Sequence, residues 1–259
     1  MHPERRRQYL EAIGLEEWRL RMRGPGIVCG SGTTPAVAPV VAPAVALAVA
    51  AEDRSSALAA EIEARWEALR AEVLACKRCP LHATRTQGVF GVGPRRADWL
   101  VIGEAPGAEE DRRGEPFVGA AGQLLDAMLR AIGLDRRSNV YIANVLKSRP
   151  PGNRDPRPEE VAACLPYLER QIGLLQPKIM LAVGRIAAQN LLGTDAPLGR
   201  LRGRVHYFGE RGIALVVTYH PAYLLRTPGD KRKAWEDLKF ARSLYQQLIE
   251  GNAIDGNRP

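Results

Sequence analysis

A chain of 259 residues with 46% hydrophobic and 25% charged content can bury one sizeable core and reads as a soluble globular protein. The 37 Lys and Arg outnumber the 29 Asp and Glu for a formal net charge of +8, a balance that favours a polyanionic partner. Four cysteines, at 29, 76, 79 and 164, are too few and too unevenly placed for a secreted disulfide framework, and a reducing, cytoplasmic setting is expected.

Within residues 4–23, Tyr9, Leu10, Ile13, Leu15 and Trp18 recur at roughly helical spacing among charges, so residues 1–23 read as an amphipathic N-terminal helix. A basic opening followed directly by an apolar stretch is missing, which argues against a signal peptide. Residues 24–55 shift to Gly, Pro, Ala and Val with almost no charge, the composition of a flexible linker. Its most apolar part, 36–51, is broken by Pro39 and Pro43 and closed by Glu52 and Asp53, too short to span a membrane. A helix is expected over 56–75, opening a packed domain that runs 56–250, with a disordered tail at 251–259.

Strands are predicted at 99–102, 140–144, 179–183 and 214–218, each a short apolar run bounded by turn or charged residues. Helical patterns lie at 123–132, 158–175, 186–192 and 231–249. This alternation implies an α/β fold, a three-layer α/β/α sandwich around a mainly parallel four-stranded sheet. Such folds carry their sites beyond the carboxyl ends of the strands, which directs attention to 103–107, 144–151 and the loop after Thr218.

The first of these loops reads Gly103, Glu104, Ala105, Pro106, Gly107, with Glu110 and Phe117 further on. Alone it could be an ordinary strand-to-helix turn with acidic caps, and Pro106 with the glycine spacing argues against a dinucleotide fingerprint. In the second, Asn144 precedes Lys147, Ser148, Arg149 and a proline-rich run, PPGNRDP. That is either a solvated basic turn or a phosphate grip beside an amide that reads a base edge. The third holds His220 in HPAYLLR; a lone histidine is more often structural.

Together, GEAPG, an Asn followed by KSRPPGNRDP, and HPAYLLR resemble, in order and placement, the family 4 uracil-DNA glycosylases over about residues 66–248. The resemblance implies the glycosylase fold, a monomer, and uracil-containing DNA as substrate, with the target nucleotide flipped out of the duplex. It implies that Leu224, Leu225 and Arg226 enter the vacated stack, that Phe117 stacks on the base, and that Asn144 reads it. Gly103 and Ala105 line the substrate site, and Lys147 and Arg149 contact DNA. His220 faces uracil O2, Glu104 serves the sugar cation and the attacking water, and Glu110 crowds the C5 position against thymine. A docking role for residues 1–23 toward a replication or repair protein is one reading; a loosely packed extension is another.

Cys76 and Cys79 form a C-x2-C pair and Cys164 lies in a later helix; such pairs in a reducing compartment bind metal or do redox work. The resemblance implies a 4Fe-4S iron-sulfur cluster on four cysteines, but its third ligand position is Ser148 here, a harder and far less acidic donor. Three outcomes stay open: a cluster with a serine ligand, a labile or three-iron cluster on Cys76, Cys79 and Cys164, or none. Cys29 has no matching local motif. Two further readings of the whole chain compete, a uracil-DNA binding module without turnover and a nucleotide-cofactor enzyme on the same sheet.

Overall fold

The computed structural model describes residues 42–251. The expected N-terminal helix at 1–23, Cys29, the first part of the linker and residues 252–259 of the tail lie outside them. A division of the chain falls after Ala50, and the sheet belongs wholly to the unit Ala51–Pro259. Among the described residues no helix is long and apolar enough to cross a membrane.

The first helix, α1 (Ala42–Ala75), starts earlier than the expected residue 56, so the later part of the stretch read as a linker is helical. Alanine is the strongest helix former, and the alanine-rich run sustains a helix where no amphipathic stripe signals one. Further along, Trp66, Leu69 and Val73 are fully buried, one face at three- and four-residue spacing.

Four strands follow the expected positions closely: β1 (Trp99–Gly103), β2 (Val140–Asn144) and β3 (Ile179–Val183), and, after one more, β5 (Ile213–Thr218). These four pair in parallel in the order β2, β1, β3, β5. The sheet has five strands rather than four: β4 (His206–Phe208) pairs antiparallel with β5 at the edge. Its three half-buried residues are too few to display alternation, so sequence periodicity missed it.

The remaining helices are α2 (Ala108–Arg113), α3 (Ala120–Ala131), α4 (Pro158–Leu175), α5 (Arg185–Leu192), α6 (Leu198–Leu201), α7 (Pro221–Arg226) and α8 (Lys231–Ile249). Side chains alternate across each strand. Leu100, Ile102, Met180 and Leu215 face a core shared with Trp66 of α1, Leu168 of α4 and Ala187 of α5. Trp99, Val101, Leu181 and Val216 face the opposite core with Leu125 of α3 and Leu238 of α8. Apolar runs buried on both faces are what a covered parallel sheet requires, and the three-layer sandwich stands.

Register brings the site together. Gly103 lies beside Asn144, Ile102 beside Ala182, and Val183 beside Thr218, so four parallel strands finish level and their loops meet at one edge.

Candidate active site

A cavity of about 420 Å³ opens at that edge, lined among others by Glu104, Ala105, Glu110, Phe117, Asn144 and His220. All three sequence-selected loops contribute, and Asn144 and His220 border the same space although 76 positions separate them in the numbering.

Asn144 closes β2 and is buried, and its Oδ1 has no hydrogen-bond partner. A buried acceptor without a partner costs on the order of 1–3 kcal/mol, so this amide is poised for a donor from outside. Gly103 does not line the cavity directly. A Cβ there would lie 2.4 Å from Asn144 Oδ1 and 2.6 Å from Phe117 Cζ, so the absent side chain lets amide and ring approach.

His220 precedes α7 and caps it: its Nδ1 accepts from the Ala222 amide at 3.1 Å. Its ring lies 5.6 Å from that of Phe117, tilted by 32°. Burial, with the Arg226 charge nearby, pushes the imidazole down to about 4. The ring is therefore neutral near pH 7, and with Nδ1 accepting, the proton sits on Nε2. The preceding strand end is pinned from behind, where Thr218 Oγ1 donates to Asp237 at 2.8 Å and Arg202 Nε donates to the same carboxylate at 2.6 Å.

Glu104 follows β1, and burial, with Asp155 close by, pushes its carboxyl up to about 7; the Arg185 charge acts in the opposite direction. A carboxyl poised near the working pH suits proton transfer. Arg185 donates to Asp155 at 2.9 Å. Glu110 also lines the cavity, and its Oε1 accepts from the Val118 and Gly119 amides at 2.9 and 3.1 Å. The carboxylate is thereby fixed at the start of α3.

Two expected DNA contacts are corrected by burial. Lys147 is only 1% exposed, and its Nζ donates to Asn144 O at 2.8 Å and Gln171 Oε1 at 2.6 Å. It stiffens the end of β2 and cannot grip a phosphate. Leu224 is also 1% exposed, while Leu225 is 45% exposed, because adjacent positions on a one-turn helix point apart. Leu224 anchors α7 and only Leu225 projects. Arg226 is exposed, and half-buried Arg149 donates through Nε to Asn153 Oδ1 at 2.7 Å. Arg154 is occupied by Glu160, at 2.9 and 2.6 Å. Sequence reasoning left Asp155 and Arg185 without roles. Asp155 sat in the quoted RDP and offered a carboxylate as a signal, whereas Arg185 opens a helix whose loop carries no motif.

The uracil DNA glycosylase superfamily matches residues 90–239. A type-4 uracil-DNA glycosylase of Archaeoglobus fulgidus is 46% identical over 174 residues, 65% of this chain and 87% of its own length. One of Thermotoga maritima is 40% identical over 185 residues, 70% of this chain and 95% of its own. A type-5 uracil-DNA glycosylase of Thermus thermophilus reaches 35% over 149 residues, 51% of this chain and 68% of its own. The chain belongs to the type-4 uracil-DNA glycosylases.

In this type-4 glycosylase the three described cysteines border one core region. Burial pushes the Cys164 thiol up, and the nearby Cys79 and Cys76 act in the same direction. The Lys147 amide donates to Cys164 Sγ at 3.2 Å and the Arg78 amide to Cys76 Sγ at 3.5 Å, the amide-to-sulfur bonds that stabilise cluster thiolates. Among the described residues, no group of three His, Cys, Asp or Glu could hold a single metal ion. Ser148 is buried, and its Oγ accepts from Arg85 Nη1 at 2.8 Å. Arg85 Nη2 also donates to Leu74 O at 2.7 Å and Cys76 O at 3.1 Å. Thus a guanidinium joins Ser148 to the end of α1 and the turn after it.

Proposed function

We propose that this chain removes uracil from DNA by hydrolysing the N-glycosidic bond, with Asn144 reading the base and His220 and Glu104 carrying the chemistry. The observation that carries the reading is the unpartnered Asn144 Oδ1 in the same cavity as a neutral His220. Everted uracil offers N3–H to Oδ1 and accepts at O4 from Nδ2. Cytosine reverses both, leaving buried groups unpaired, a mismatch that can reject the wrong base by about four to five orders of magnitude. Phe117 supplies the stacking surface, Glu110 crowds C5, Ala105 completes the substrate site, and Gly103 leaves the room in which amide and ring approach.

Breaking the C1′–N1 bond sends its electron pair to the base. His220 Nε2–H donates to uracil O2, a hydrogen bond that strengthens as negative charge develops in a water-poor pocket. Glu104, as carboxylate, stabilises the cationic sugar and takes a proton from the water whose oxygen bonds to C1′. Uracil leaves and an abasic site remains. Lys147 is buried away from the cavity, which disfavours an imine route and strand cleavage. Flipping costs a few kcal/mol, offset by Leu225 filling the gap and by Arg226 and Arg149 at the backbone.

Cys76, Cys79 and Cys164 would hold an iron-sulfur cluster that supplies a structural cross-link between the turn after α1 and α4, away from the cavity. It takes no part in bond breaking.

A uracil-containing oligonucleotide, incubated with the protein and then treated with alkali, tests the function. Cleavage only after alkali, with free uracil released, is the expected result. Intact DNA in a shifted gel band instead supports a binding module without turnover.

A further inference from the structure

Phe117 stands in the left-handed region at φ 54°, a conformation that a bulky side chain adopts only when its surroundings impose it. Its ring fills the gap left by Gly103 and lies beside His220, so backbone relaxation here would move the cavity wall. Downstream, Glu110 holds the amides of Val118 and Gly119. Upstream, Arg136 Nη1 donates to Pro116 O at 3.1 Å and Nη2 to Phe117 O at 2.9 Å. The guanidinium is itself oriented by Asp126 of α3, whose Oδ1 accepts from Nε at 2.7 Å. Helix α3 can pass this close because Gly122 has no side chain; a Cβ would lie 1.8 Å from Phe117 O.

We propose that Arg136, set by Asp126, is a positioning residue that clamps Phe117 into its left-handed conformation and so fixes the ring on which the everted base stacks. Arg136 lies outside the three strand-end loops, in the connection between α3 and β2, and does not line the cavity. Its planar fork matches the job: three donors in one plane serve two successive carbonyls and a carboxylate at once, which a lysine cannot do. The inference rests on the reading of the cavity as the uracil pocket. It goes beyond it by locating the cause of the platform's geometry outside the pocket.

Uracil excision is measured for wild type, Arg136→Met, Arg136→Lys, Phe117→Ala and the double variant Arg136→Met with Phe117→Ala, with thermal melting in parallel. Misplacing a reacting group by about an ångström can cost a hundredfold, so Arg136→Met is expected to lose between about ten- and a hundredfold in kcat/KM. Arg136→Lys recovers only part of it. In the Phe117→Ala background the same change should cost less than about twofold, because the ring it positions is gone; independent effects would multiply. Asp126→Asn keeps the guanidinium while weakening its anchor, and serves if Arg136→Met does not fold: a smaller loss, again erased by Phe117→Ala, is expected. Wild-type rates in both Arg136→Met and Asp126→Asn, or losses that multiply with Phe117→Ala, overturn the clamp and leave the glycosylase reading standing. A wild type that releases no uracil overturns both.

Discussion

The Ala222 amide donates to Nδ1 of His220 at 3.1 Å, and that bond assigns the imidazole's proton to Nε2. The same turn therefore caps α7 and selects the tautomer that the proposed donor role requires. His220→Ala is expected to lower turnover by about a hundred- to a thousandfold, the scale for a lost oxyanion donor, with uracil-DNA binding largely kept. His220→Gln, which can present an N–H near the Nε2 position, should recover part of the rate. Single-turnover kinetics beside a binding titration check both, and equal rates for the Ala and Gln variants would count against the donor role.

Glu104 predicts the pH dependence. Its carboxyl is pushed up to about 7 by burial, so the base form accumulates as pH rises and kcat/KM should climb through pH 7 to a plateau. His220, pushed down to about 4, stays neutral across that range and adds no second limb. Glu104→Gln should remove the climb. For stability the sign follows from the raised value: the native state binds the extra proton between 4.5 and about 7, so the favourable contribution is full below that window and lost across it as pH rises. Glu104→Gln should therefore melt higher relative to wild type at pH 8 than at pH 4, by differential scanning calorimetry.

Gly103→Ala should be nearly inactive yet folded. The added methyl must displace Asn144 Oδ1 and the Phe117 ring, 2.4 and 2.6 Å away, while β1 around it tolerates alanine. A loss of about a hundredfold or more in kcat/KM is expected, with a circular dichroism spectrum like that of the wild type. Wild-type activity would mean that amide and ring are placed differently.

Salt dependence separates the two lysine and arginine roles. Each phosphate contact contributes about 0.9 to the slope of log K against log salt concentration. Arg226→Ala should reduce that slope by about this amount, measured by fluorescence anisotropy on uracil-containing duplex in the slowed His220→Ala background. Lys147→Met should leave the slope unchanged and lower the melting temperature, because it removes a buried bridge between Asn144 O and Gln171.

Iron content tests the cysteine site. Protein purified without oxygen should contain iron and sulfide, and Ser148→Cys should raise the iron-to-protein ratio and lengthen the survival of the visible absorption in air. Thiolate is the far better ligand at that corner. Iron and sulfide both missing from the anaerobic wild type would remove the cluster from this chain.

Local patterning sufficed for most of the architecture. Apolar runs such as 179–183 mark strands buried on both faces whatever their neighbours do, and Pro158 opening α4 needs no tertiary context. The three-residue edge strand at His206 carried too little pattern to stand out, and its pairing with β5 comes from the sheet beside it. The motif loops pointed to Glu104, Asn144 and His220, since each lies at or within two residues of the end of a recognisable strand. Side-chain direction was not legible there: Lys147 and Leu224 turn inward and Leu225 outward according to what packs above them.

The chain's own order of residues thus determined the α/β alternation, the strand ends that border the cavity, and the family to which the motifs belong. Those are properties of short segments, set by periodicity and residue type. Tertiary structure alone decided how far Glu104 and His220 are shifted and why Phe117 holds a backbone angle it would otherwise avoid. Each of these depends on groups distant along the chain, on burial and on fixed donors, and such energies exist only once the sheet has drawn those groups together.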